Sequence, residues 1–204
     1  MAVASSFFLM PFYLIQIMEM EESLAALIMA PASLMMAIGG PLSGKISDSF
    51  GTKWPAVLGL LFTCGALMTF STLSVQSSPL IVIIGMFFSG SGSGIFGSPS
   101  TSTVMGIAGQ SRYGVVTALV NMARTTGNMT GLSMGITLVV FSMGVAGYDA
   151  DLSTISELGH GTEAIQLKSV FTLGMQRAFI VGAFVAGIAA LLIALSPIEN
   201  RKDL

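Results

Sequence analysis

Gly39-Gly40-Pro41-Leu42-Ser43-Gly44-Lys45-Ile46-Ser47-Asp48-Ser49-Phe50-Gly51-Thr52-Lys53-Trp54 is the stretch on which the fold is decided. A long uncharged run ends here in Lys45, Asp48 and Lys53, and another apolar run follows at once. The pattern predicts a short charged turn between two apolar helices. Its two lysines also nominate the side of a membrane it faces, because short cytoplasmic loops carry the excess of Lys and Arg.

Composition supports the same reading. Of 204 residues, 53% are hydrophobic and 9% charged, against about 25% charged in soluble domains. The mean hydropathy is +0.85, so a water-soluble protein of this make-up would have too little polar surface to cover itself. A net charge of -2 argues for neither nucleic acid nor an acidic partner. The lone cysteine, Cys64, forbids an intrachain disulfide and makes a cysteine-based metal site improbable, and no cofactor is implied.

Outward from the opening stretch, six apolar runs are expected to form one all-α, polytopic bundle: residues 2–17, 24–46, 55–74, 79–107, 113–142 and 173–196. The first, at about 1.5 Å per residue, falls short of a hydrocarbon core about 30 Å thick. A signal peptide is the rival for that run, but no basic segment precedes it and no clear small-residue cleavage pattern follows. Pro31 and Pro41 lie inside the second run, where neighbouring helices and hydroxyl side chains can satisfy the freed carbonyls. Residues 146–170 are expected to form the long connection, with Asp149, Asp151, Glu157, His160, Glu163 and Lys168.

Charge then orients the bundle. The turns after runs two and four and the C-terminal tail hold five basic residues, Lys45, Lys53, Arg112, Arg201 and Lys202; the other side holds two, Lys168 and Arg177. Both chain ends are therefore expected in the cytoplasm, in a cell membrane, with the long acidic connection outside. Trp54, Tyr113 and Tyr148 fall at expected boundaries, where amphipathic rings settle.

Two motifs invite a nucleotide-binding or enzyme reading. Gly92-Ser93-Gly94-Ile95-Phe96-Gly97 matches the dinucleotide pattern G-x-G-x-x-G, but that pattern needs a preceding strand and an acidic residue about 20 positions on, and no acidic residue follows before Asp149. Ser91 and Ser93 lie on the fourth run, where rhomboid intramembrane proteases hold their serine. The one histidine, His160, precedes the sixth run instead of lying in it, and a serine without a base in reach is a weak nucleophile. Close helix packing is the simpler use of Gly90 and Gly94.

The fifth run carries the most informative polar group. At about 100° per residue, Asn121, Thr125 and Asn128 share one face and Arg124 lies beside them. Arg124 falls roughly 16 Å beyond Tyr113, near the middle of a bilayer. A central arginine costs about 2.5–3.5 kcal/mol on insertion scales, so it should face a cavity or a partner helix. A purely structural clamp on carbonyls is the alternative. Gly127, Gly131 and Gly135, four residues apart, form an adjoining stripe suited to close packing.

The run Gly44-Lys45-Ile46-Ser47-Asp48-Ser49-Phe50-Gly51-Thr52-Lys53 resembles the loop signature G-x-L-[AG]-D-R-x-G-R-K of the major facilitator superfamily. Gly44, Asp48, Gly51 and Lys53 match, and Ser49 and Thr52 replace basic residues. Pro31, Pro41, the opening Pro11-Phe12-Tyr13-Leu14-Ile15-Gln16 and Asn121-Met122-Ala123-Arg124-Thr125-Thr126-Gly127 are similar to the C-terminal half of fourteen-span drug/proton antiporters. The resemblance implies a small-molecule transporter half whose site lies between two six-span bundles. It further implies that Gly44, Lys45, Asp48, Gly51 and Lys53 belong to a gating loop and that Asn121, Arg124, Thr125 and Asn128 face the cavity.

No acidic residue lies inside the expected spans, whereas proton coupling usually uses intramembrane acids or histidines. The expectation is therefore of a C-terminal half or fragment that works with an N-terminal bundle or a second copy. Two alternatives stand beside it: a packing or regulatory membrane bundle without transport of its own, and a rhomboid-like protease.

Overall fold

The computed structural model describes residues 2–108, 112–147 and 162–196. His160, Tyr148, Asp149, Asp151, Glu157, Arg201 and Lys202 lie outside them. All regular structure in the described residues is helical: α1 (Ala2–Phe12), continued by a π-helical turn (Tyr13–Ile17), α2 (Glu22–Phe50), α3 (Lys53–Ser71), α4 (Pro79–Ala108), α5 (Tyr113–Val145) and α6 (Thr162–Leu195). Five of these helices are long and apolar enough to cross a membrane, and Val3–Ile17 is a shorter apolar helix. The chain is thus a polytopic, all-α membrane bundle.

Two boundaries differ from expectation. The charged turn expected over Lys45 to Lys53 is mostly helix, because no proline interrupts Leu42 to Phe50 and a helix can carry its charges beyond the apolar layer. Helix α2 ends instead at Gly51, whose φ of 86° and ψ of 166° are open essentially to glycine alone. Helix α6 starts at Thr162 rather than near residue 173, so the part of the expected 146–170 loop from 162 onward is helical. The physical reason is the same: Lys168 lies in a helix that extends past the apolar layer toward Glu19.

Helix α4 is the centre of the bundle, wedged between α2 and α3 by its small residues. A Cβ on Gly90 would sit 2.7 Å from the Ala32 Cα, and one on Gly94 would sit 2.9 Å from the Met36 carbonyl oxygen. Two residues along, on the opposite face at about 100° per residue, a Cβ on Gly92 would sit 2.8 Å from the Gly59 carbonyl oxygen, and one on Gly59 would sit 2.6 Å from the Phe96 nitrogen. Backbone therefore meets backbone on both sides, and dispersion and polar contacts take over from the hydrophobic effect in lipid. The Ser43 hydroxyl adds a hydrogen bond to the Ile95 carbonyl at 2.6 Å.

The large buried side chains gather toward one end. Leu9 and Met10 of α1 and Tyr13 and Leu14 of the π-helical turn meet Phe70, Met86, Phe171 and Phe179 from α3, α4 and α6, and the Phe70 and Phe179 rings lie 5.4 Å apart. Polar bonds close this end. The Tyr13 hydroxyl donates to the Ser74 carbonyl at 2.6 Å, the Gln176 amide to the Leu73 carbonyl at 2.5 Å, and Lys168 pairs with Glu19 at 2.5 Å.

Candidate functional site: the polar face of α5

Helices α2 and α5 are the least buried of the five long ones, each with 22% of its apolar window buried. On α2 the buried positions Ala25, Ala32, Gly39, Ser43 and Ser47 trace one stripe, and Ala32 and Gly39 in it touch α4; the rest is exposed and apolar, including Leu27, Leu34 and Leu42. Helix α5 behaves differently along its length. Its buried residues are Gly135, Val139, Ser142 and Met143, all in the second half. There a Cβ on Gly135 would sit 2.8 Å from the Ser5 Cβ, and one on Gly174 of α6 would sit 2.8 Å from the Val139 Cα.

Below that contact α5 is less buried, and Asn121, Arg124, Thr125 and Asn128 are all exposed. Their direction follows from helical geometry. At about 100° per residue, these four fall in the same sector, roughly 100° wide, as Gly135, Val139, Ser142 and Met143. Val115, Leu119, Met122 and Met129, 59–68% exposed, occupy a separate sector, about 80–160° round the helix from Asn121. The polar face is thus a continuation of the seam by which α5 packs on α1 and α6, and the apolar face points away. Where the seam begins to open lies a cavity of about 70 Å³ lined by Ser5, Gly131, Gly135, Ala178 and Gly182.

Arg124 makes no hydrogen bond or ion pair among the described residues, whereas the Thr130 hydroxyl is taken up by the Thr126 carbonyl at 2.8 Å. The arrangement offers a guanidinium with five donors beside two amides, all on one face. Such a wall can bind acceptor groups of a solute, or a carboxylate from a facing helix. Gly127 and Gly131, half-buried, flank it.

The signature residues lie at the Lys53 end. Asp48 is in the last turn of α2, and Lys45 is exposed, its carbonyl accepting from the Ser49 hydroxyl at 3.2 Å. A Cβ on Gly44 would sit 3.2 Å from the Ser98 Oγ of α4. The Thr103 hydroxyl donates to Thr52 at 2.8 Å and the Lys53 ammonium to the Ser196 carbonyl at 2.8 Å, so the two-residue turn is tied to α4 and the start of α3 to the residue that follows α6. Two features lay beyond sequence reasoning: the Thr52–Thr103 bond, and the burial of Gly135 and Val139 on the side of α5 that carries the polar stripe. The Ser91 hydroxyl is buried and donates to the Phe87 carbonyl at 2.7 Å, as a helix-packing serine does.

The sequence profile of the Major Facilitator Superfamily matches residues 1–132. Among similar proteins, a riboflavin transporter of Clostridioides difficile is 30% identical over 98 residues, covering 48% of this chain and 22% of that protein. A lincomycin resistance protein of Listeria monocytogenes is 24% identical over 191 residues, covering 94% of this chain and 39% of the relative. A tetracenomycin C resistance and export protein of Streptomyces glaucescens is 28% identical over 127 residues, covering 62% and 24% respectively. The chain thus spans well under half the length of these relatives.

Proposed function

The chain belongs to the major facilitator superfamily, and from that premise we propose that it forms one wall of a drug-efflux transporter driven by proton antiport. The observation that carries this reading is the α5 face: Asn121, Arg124, Thr125 and Asn128 are exposed along the continuation of a packing seam. In lipid, an arginine at that depth costs about 2.5–3.5 kcal/mol, so a water-filled cleft or a companion bundle must lie against it. Export of hydrophobic compounds is supported by the relatives named for lincomycin resistance and for tetracenomycin C export.

In this proposal a second bundle packs on the exposed faces of α2 and α5, and substrate is held between the two near mid-membrane. Asn121, Arg124, Thr125 and Asn128 orient it. The second bundle is an N-terminal half or a further copy, and it supplies the acidic proton carrier, because the only acidic residues in the long helices here, Glu22, Asp48 and Glu163, lie at their ends. Lys45, Lys53 and Arg112 mark the cytoplasmic side of the cell membrane, and both chain ends lie there. Rocking of the bundles then pivots on the Lys53 end, with Gly44, Asp48 and Gly51 in the moving contact.

The test is proton-driven efflux from everted vesicles holding the intact transporter. Arg124→Gln should cut efflux at least about tenfold at equal expression, the loss of one charge-assisted contact of about 1.5–3 kcal/mol. Unchanged efflux would remove Arg124 from the site. A packing bundle without transport is the competing reading, favoured by the backbone contacts of Gly90, Gly92 and Gly94; it predicts a stable complex with no efflux at all.

A further inference from the structure

Helices α3 and α6 run side by side, and between them lies an apolar groove of about 500 Å³. Its α3 wall is Val57, Leu61, Cys64 and Met68, spaced four, three and four residues apart on the face opposite Gly59 and α4. Its α6 wall includes Gly187 and Ala190, whose small side chains leave it concave. The twelve residues from Val57 to Met68 rise about 16 Å, half of a hydrocarbon core of about 30 Å, which is the depth of one leaflet.

One mouth of the groove is cationic. Lys53 lies one turn before Val57 and donates to the Ser196 carbonyl at 2.8 Å, bridging α3 and α6 there. Among the described residues Lys53 has no carboxylate partner, so the bond holds the ammonium in position without balancing its charge. Trp54 beside it is 60% exposed, as a side chain at the headgroup level would be. A fixed cation at the boundary, continued by an apolar channel one leaflet deep, matches one kind of molecule: a phosphate with an acyl chain below it.

We propose that the α3–α6 groove binds one anionic glycerophospholipid of the surrounding leaflet, with its phosphate at Lys53 and one acyl chain along Val57, Leu61, Cys64 and Met68. The site lies away from the polar face of α5 and does not depend on the transport reading. Cys64 is the only cysteine, half-buried in the groove wall with its thiol directed to the Ala183 carbonyl at 3.6 Å. A bound chain covers that thiol.

The test uses the purified full chain in detergent. Native mass spectrometry reads the lipid retained after exposure to phosphatidylglycerol or to phosphatidylcholine with the same acyl chains. One phosphatidylglycerol should stay per chain, with a preference of about fivefold, the factor one lysine contributes at an anionic surface. Lys53→Gln should abolish the preference and Lys53→Arg should keep it. A Cβ on Gly187 meets nothing within 4 Å, so Gly187→Leu should fill the groove, leave helicity unchanged and release the lipid. Phosphatidylglycerol should also slow maleimide labelling of Cys64 in the parent and not in Gly187→Leu. Equal retention of both lipids, retention unaffected by Gly187→Leu, or a groove occupied by a second copy in cross-linked dimers would each overturn the assignment.

Discussion

Gly90→Ala is the sharpest test of how the bundle is held together. The added methyl would press hardest on the Ala32 carbonyl oxygen and lie 2.7 Å from the Ala32 Cα, while ordinary contact begins at 3.4 Å, so the shortfall exceeds about 0.7 Å. Neither partner is a side chain that can rotate away; both are helix backbone, so α2 and α4 must move apart. Overpacking of this kind costs about 1–3 kcal/mol, and separating the helices also strains the 2.6 Å bond from Ser43 to the Ile95 carbonyl, a further 0.5–1.5 kcal/mol or so. Gly97→Ala is the matched control on the same helix. Its Cβ meets nothing within 4 Å, and alanine improves a helix interior by roughly 0.5–1 kcal/mol. Heating in detergent followed by far-ultraviolet circular dichroism reports loss of the helices. Gly90→Ala should melt about 4–10 °C below the parent, at roughly 2–4 °C per kcal/mol for a chain of this size, and Gly97→Ala at or above it. A Gly90→Ala chain as stable as Gly97→Ala would refute the backbone-contact reasoning.

Three further outcomes follow from named contacts. Gly51→Ala places a side chain at φ of 86° and ψ of 166°, so the same melt should show a loss of about 1–3 kcal/mol. Tyr13→Phe keeps the buried ring and removes only its bond to the Ser74 carbonyl; a loss of about 0.5–1.5 kcal/mol is expected, and a change under 0.3 kcal/mol or so would count against that bond. Glu19→Gln breaks the pair with Lys168, whose side chains are 53% and 14% exposed, so the effect should stay within about 1 kcal/mol and shrink further in high salt.

Much of this architecture is legible in the sequence, and the illegible part has a consistent cause. Apolar runs locate α3 and α4 to within a few residues, because lipid demands length and uniform apolarity from each crossing. They mislocate the end of α2 and the start of α6, because a helix stops at its breaker and not at the membrane surface: Gly51 ends α2, well past Lys45. The contacts of Gly90 and Gly94 are suggested by small-residue spacing, but which helix each glycine meets is set by tertiary packing. The pairing of Lys168 with Glu19 joins residues 149 positions apart, and no local pattern announces it. On α5 the polar group is evident from residue type; its direction emerges only when Gly135 and Val139 are seen buried on the same side.

The most direct measurement is the water accessibility of that helix. With Cys64 replaced by serine, single cysteines at Asn121, Arg124 and Asn128 and at Leu119, Met122 and Met129 are exposed to a charged, membrane-impermeant maleimide in sealed bilayers open to the Lys53 end. Labelling at the first three at least about tenfold faster than at the last three is the predicted result, since a charged reagent enters a polar cleft and not lipid. Equal labelling of the two faces, or none on either, would contradict a solute-lining role for α5.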